Sequence, residues 1–233
     1  QAVTLHSVQR PVELLFRAAG GASGVRVVPA APSRIGGPRD WLQRLAGSGQ
    51  RAAVSQLDAD TLALPPSIAV FDDAALNRDL YLWLAALAAD HGADAPEADA
   101  ATDAAMAPLP DGELDRAATR ELRENQRATL RALQRWPGIE TRYRRLVDAA
   151  IAQRPKLEKL PPAEAARERL LRQALHAPGS VAALAPLPPK AKATQPVLLW
   201  LSNFRGAQQG GLTGMGSGAE SAGIISGGTR HIV

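Results

Sequence analysis

The stretch with the most suggestive spacing for chemistry is "VLLWLSNFRGAQQGGLT", residues 197–213, an apolar run followed by a glycine loop. In a phosphate-binding loop, glycine amides cradle the phosphates, a lysine contacts them, and a Ser or Thr hydroxyl reaches the metal. Gly206 and Gly211 have the required separation and Thr213 stands at the hydroxyl position, but Leu212 occupies the place of the lysine. Without that charge, and with no helix-forming sequence behind it, the loop is rejected as a nucleotide site. No G-x-S-x-G elbow surrounds Ser217, Ser221 or Ser226, so a serine hydrolase has no anchor. Asp72 and Asp73 could be paired as acid and base. They directly precede an apolar run, however, where a carboxylate accepts hydrogen bonds from the free amides of a helix start, and capping is the reading adopted. His6, His91, His176 and His231 are scattered, and the chain has no cysteine, which removes thiolate ligands and disulfides together. No catalytic, cofactor-binding or metal-ligating residue is assigned.

What remains is charge. "RYRRLV" sets Arg142, Arg144 and Arg145 on one amphipathic segment, and Arg78-Asp79 stands at the head of the uncharged run "LYLWLAALAA". The three arginines are either the wet side of a helix, their apolar stems laid along the surface, or a basic patch for an acidic partner. Arg78 and Asp79 either lock the start of a core helix through ion pairs or contact that partner. These five are the candidate partner-binding residues. A formal net charge of +4, from 27 basic and 23 acidic residues, describes a mixed surface that does not require nucleic acid.

The elements that must position these residues are mainly helical. Few aromatics and abundant alanine leave a core of Leu, Val and Ala, which favours helices. Val8, Val12, Leu15, Phe16 and Ala19 recur at helical spacing over Ser7 to Gly20, with Pro11 tolerated in the first turn. Val25 and Val27 share one face of a short strand; Trp41, Leu42 and Leu45 mark a short helix. Arg51 to Phe71 reads as a small β-hairpin or meander. The helix from about Ala74 to Ala89 is apolar all round, so it belongs in the core. Its run from Leu80 to Ala89 would rise only about 15 Å against about 30 Å of hydrocarbon, so it cannot span a bilayer. An Asp at its end, Asp90, opposes the helix dipole.

Ala93 to Asp111, rich in Ala, Asp and Pro, reads as a linker. A second helical block from Gly112 to Trp136 sets Leu122, Leu130 and Leu133 among charges that suit a solvated face, followed by amphipathic helices over Ile139 to Ala152 and after Pro161-Pro162. Order is expected to fade beyond Ser180, where proline favours extended chain and Val197 to Leu201 is a candidate strand or docking segment. Asn203 to Val233 reads as a Gly/Ser tether. The expected organisation is a mainly α (α+β) fold: a helical region with a small β element over 1–92, a linker over 93–111, a helical region packed on the first over 112–201, and a flexible Gly-rich tail over 202–233.

Five segments in order, "LFRAAGG", "LQRLAGSG", "LPPSIAVFDDAALNRDLYLWLAALAA", "ENQRATLRALQRWPGIETRYRRLV" and "QPVLLWL", resemble the N-terminal region of the NorD family of nitric oxide reductase activation proteins. The resemblance covers most of Val12 to Leu201. It implies an accessory protein, not an enzyme, whose relatives join a helical N-terminal region to a von Willebrand factor A domain and act with a MoxR-type AAA+ ATPase ring. The implied client is membrane-bound nitric oxide reductase during insertion of its non-haem iron; a related branch serves Rubisco activation. No Asp-x-Ser-x-Ser motif is found, so Mg²⁺ is expected only in that further domain and ATP only in the partner. The expected location is cytoplasmic. A basic nucleic-acid-binding module is the alternative of another class.

Overall fold

The structure, a computed structural model, describes residues 1–31, 33–34, 51–52, 55–58, 60–91, 113–189, 191 and 194–202. The expected helix at 39–47, the linker over 93–111 and the tail over 203–233 lie outside them.

Chain order is β1 (Val3–Thr4), α1 (Leu5–Ala18), β2 (Arg26–Pro29), β3 (Ser33–Arg34), β4 (Arg51–Ala52), β5 (Gln56–Leu57), β6 (Thr61–Leu64), β7 (Ser67–Ile68), α2 (Ala74–Asp90), α3 (Glu113–Arg135), α4 (Glu140–Ala152) and α5 (Pro162–His176). This is the expected mainly helical fold with a small β component. Among the described residues no helix is long and apolar enough to cross a membrane.

Helix α1 starts two residues before the sequence pattern suggests, because Thr4 caps it by accepting from the Ser7 amide. Pro11 therefore sits inside the helix rather than in its first turn, on the exposed side, opposite buried Val8, Val12 and Phe16. The β-hairpin expected after Arg51 is real, with Gln56 facing Ala63 and Leu57 facing Leu62. It is not self-contained: β6 pairs parallel with β2, β7 pairs antiparallel with β1, and β4 with β3. Short strands gain cooperativity from partners, and these partners come from the first 34 residues.

Helix α2 is the centre of the molecule. Every residue from Leu80 to Asp90 except Leu82 is buried, and Trp83, Tyr81, Leu84 and Leu87 are at most 1% exposed. One continuous apolar cluster joins α1, the β2–β6 face, α2, α3, α4 and α5, so the regions on either side of residues 93–111 share a single core. Burying each such Leu or aromatic contributes about 1.5–3 kcal/mol relative to leaving it in water. The unfavourable end of α2 is compensated. The Asp90 carboxylate lies 3.1 Å from the Arg135 guanidinium, and its carbonyl accepts from Arg131 Nη2 at 2.6 Å.

Helix α3 runs against the sequence expectation. Leu122 is buried, but Leu130 is 36% exposed and Leu133 only partly covered, while Thr119, Arg123, Asn125, Gln126 and Thr129 are buried. A polar stripe faces inward, and what it faces is the next finding.

Candidate functional site

The described residues beyond α5 do not lose order. Residues 179–189, 191 and 194–202 lie as an extended belt across the helices, without regular secondary structure, as the prolines require. An extended segment cannot satisfy its own amides and carbonyls, so buried side chains do it. Gln126 Oε1 accepts from the Gly179 and Val181 amides, and its Nε2 donates to the Val181 carbonyl at 2.8 Å. Arg123 donates to Ala182, Arg167 to Ala185, and the Leu184 amide donates to Thr119 Oγ1. Asn125 imitates a strand neighbour, accepting from the Leu201 amide at 2.8 Å and donating to the Leu201 carbonyl at 2.9 Å. Trp83 Nε1 donates to Leu199 at 2.9 Å. Val197 to Leu201 is thus a docking segment for its own molecule: Leu199 and Leu201 are at most 1% exposed, and in place of a strand there is a turn and a single parallel bridge from Ser202 to Gln56.

An ion-pair clamp fixes the middle of the belt. Arg154 and Glu168, 3% and 4% exposed, meet through two bonds of 2.7 and 2.8 Å, and Arg172 adds a third at 2.9 Å. Arg154 also donates to the carbonyls of Gln195 and Pro196. Every face of the guanidinium is therefore engaged in binding α4, α5 and belt together.

The five residues predicted to meet a partner converge in part. Arg142 lies 3.8 Å from Asp79, bridging α4 to α2, and Arg145 lies 3.8 Å from Asp73 at the start of α2. Arg144 turns away to Glu140 at 2.6 Å within its own helix. Arg78 is exposed and takes no part in these pairs. Arg142, Arg144 and Arg145 retain 55%, 75% and 56% exposure. The Arg144–Glu140 and Arg145–Asp73 pairs, exposed on both sides, contribute at most about 1 kcal/mol each and can be exchanged for a partner's charges at little cost, while Asp79 is only 13% exposed and ties Arg142 more firmly. Asp73 caps α2 through the Ala75 amide at 2.7 Å, which is the capping role expected of the Asp72-Asp73 pair.

Titration marks the far end of the belt. Burial raises the Glu121 carboxyl above the ordinary carboxylate range; a bond from Ser202 Oγ opposes this and neighbouring Glu124 adds to it. A carboxyl raised on folding destabilises the fold when ionised and not when protonated, so the cost is absent below its unfolded pKa and complete above its folded one. Glu121→Gln is expected to raise the melting temperature at pH 7, with the difference closing as pH falls through the carboxylate range; thermal melts across pH 3–7, on the order of the acid window, check it. Burial likewise raises the phenols of Tyr81 and Tyr143, whose hydroxyls donate to the Pro65 and Leu175 carbonyls. Among the described residues no group of three His, Asp or Glu could hold a metal ion.

Known proteins resemble this chain over most of its length. It is 42% identical over 199 residues, 85% of the chain, to an uncharacterized protein of Pseudomonas aeruginosa. It is 39% identical over 199 residues, again 85%, to Protein NorD of Stutzerimonas stutzeri, and 35% identical over 155 residues, 66%, to Protein NorD of Brucella abortus. The chain spans 28% of the length of the first two relatives and 23% of the third. No protein-family model matches it, and no solved structure does.

Proposed function

Since the chain is a NorD-type sequence, we propose that it is the helical scaffold of an accessory protein for nitric oxide reductase, coupling a MoxR-type AAA+ ATPase to its client. In this reading the chain performs no chemistry of its own. ATP is hydrolysed in the partner, and the client, membrane-bound nitric oxide reductase, is worked on during insertion of its non-haem iron. A coupler must be stiff where it carries load and exchangeable where it grips. The belt wired to α3, α4 and α5 supports the first requirement, and the half-exposed ion pairs of the α2–α4 face support the second.

The observation that carries the reading is the pairing of Arg142 with Asp79 and Arg145 with Asp73, each at 3.8 Å. Arg145 over the half-exposed Asp73 carboxylate can rotate to a partner's carboxylates without leaving a buried charge behind, whereas Arg142 is held more firmly because Asp79 is only 13% exposed. The test is co-purification of the chain with a MoxR-type ATPase, followed by hydrolysis measurements with and without it. Expected are a stable complex, a change in hydrolysis of severalfold, and loss of both in Arg142→Glu/Arg145→Glu, whose melting temperature should shift little because both sites are exposed. Unchanged hydrolysis together with no complex would overturn the proposal. Tight, steeply salt-dependent DNA binding would favour a nucleic-acid module instead.

A further inference from the structure

An open groove of about 590 Å³ runs between α1 and strand β2. Its apolar part is Leu14, Phe16, Val25, Val27 and Val28. Leu14 is 62% exposed at the mouth of this groove. Arg10, Arg17 and Arg26 stand around this floor, and Glu13 is the single acid among the lining residues, its carboxylate already accepting from Gln9 Nε2 at 3.0 Å. Arg17 is held in place by donating to the Ala22 and Val25 carbonyls, which fixes one positive charge at the groove.

One wall is backbone. Among the described residues β2 is the outer strand of a sheet ordered β2-β6-β5. The Arg26 amide donates to Asp60 and the Ala30 amide to Leu64, so alternate residues of β2 point toward β6 and the residues between them point away. Val27 therefore directs its amide and carbonyl outward, and Pro29 directs a carbonyl outward with no amide to offer. An edge of this kind takes an added strand, with main-chain bonds giving affinity and side-chain pockets giving selectivity.

We propose that the α1–β2 groove binds an extended segment of a partner protein in which acidic and apolar residues alternate, laid along the edge of β2 that is outermost among the described residues. The apolar side chains would cover Leu14 and Val28, and the carboxylates would meet Arg10, Arg17 and Arg26. A second copy of this chain fits poorly, because pairing like edges sets the same three arginines against each other. A nucleic acid would satisfy the arginines but leave the β2 edge and the leucine unused. The groove is remote in sequence from the α2–α4 face, and the inference does not rest on the function proposed above.

The experiment uses the whole chain and a labelled, end-blocked peptide of alternating valine and glutamate, with a valine–lysine peptide and a labelled oligothymidylate as comparisons. Fluorescence anisotropy gives affinity, and NMR amide shifts locate the contact. Expected are binding of the acidic peptide, a shift at the Val27 amide, no binding of the lysine peptide, and affinity weaker by at least about tenfold in Arg10→Glu/Arg26→Glu. These side chains are exposed, so the variant should keep its circular dichroism and melting temperature; Leu14→Asp is the independent second variant and should weaken binding too. No binding of the acidic peptide at about 1 mM overturns the proposal. So does equal binding of the oligothymidylate with the same loss in the variant, which would make the groove a general polyanion site. Self-association in sedimentation that Leu14→Asp abolishes would also overturn it, in favour of a second copy.

Discussion

Glu168→Ala is expected to destabilise the protein by about 3–5 kcal/mol, the range for stripping one partner from a buried ion pair. The size follows from what is left behind. Arg154 is 3% exposed, and without Glu168 its guanidinium retains only the carbonyls of Gln195 and Pro196. Carbonyl dipoles do not neutralise a buried charge. Arg154→Ala should cost less, since Glu168 would still pair with Arg172, whose guanidinium is 23% exposed and partly solvated. The double replacement Arg154→Met/Glu168→Leu separates two roles. Removing both buried charges with volume kept is commonly neutral or stabilising, so global stability in urea should return in part, the remainder being the cost of leaving Arg172, 23% exposed, without its carboxylate. The belt carbonyls at Gln195 and Pro196 would remain without their donor, so amide exchange near Leu198 and Leu199 should stay faster than in the parent. A double variant as unstable as Glu168→Ala alone would show that the clamp acts through something other than charge burial.

How much of this was readable beforehand depends on whether an element carries a period. Helices α1, α2, α4 and α5 bury apolar residues at helical spacing, and each was legible; α2 was legible as a core helix because Leu84 and Ala86, two residues apart, lie on opposite sides and both are apolar. The α4 arginines and Asp79 could be nominated, but nothing in their spacing shows that Arg142 and Asp79 pair while Arg144 turns to Glu140. Helix α3 misled for a definite reason. "RENQRATL" reads as a wet face, yet Arg123, Asn125 and Gln126 are buried because their partner is backbone rather than a side chain. Backbone leaves no hydrophobic pattern to match. For the same reason the belt, proline-rich and without a repeat, reads as fading order although side chains bond its backbone at Val181, Ala182, Leu184, Ala185, Gln195, Pro196, Leu199 and Leu201. A signal was present: Asn125 and Thr129, one helix turn apart beside Leu122, are poor surface helix formers, and side-chain amides at the adjacent positions 125 and 126 are a means of holding extended chain.

Trp83→Ala is expected to cost about 3–5 kcal/mol, by lost transfer energy and by a cavity that its surroundings cannot close. Those surroundings are constrained. The Tyr143 ring, 4.5 Å away between centroids and tilted by 43°, is tied by its hydroxyl to the Leu175 carbonyl at 2.7 Å, so it cannot swing into the hole without breaking that bond. Leu80, Leu84 and Leu87 are fixed by their own helix at 2% exposure or less. Trp83→Phe keeps most of the volume and deletes only the indole donor. It should cost about 1–3 kcal/mol, because the carbonyl of fully buried Leu199 loses its partner with no water to replace it. The two variants also differ in where the damage shows. Trp83→Ala should lower the urea midpoint and speed exchange throughout α2 and α4, whereas Trp83→Phe should act first on the belt amides at Trp200 and Leu201, which can open without the helices. If Trp83→Ala cost less than about 1 kcal/mol, α2 would not be the packed axis on which the belt and the α4 arginines depend. If Trp83→Phe left belt exchange unchanged, the indole bond would not be what holds the end of the belt, and Asn125 with the Ser202 bonds to Ser55 and Glu121 would carry that role.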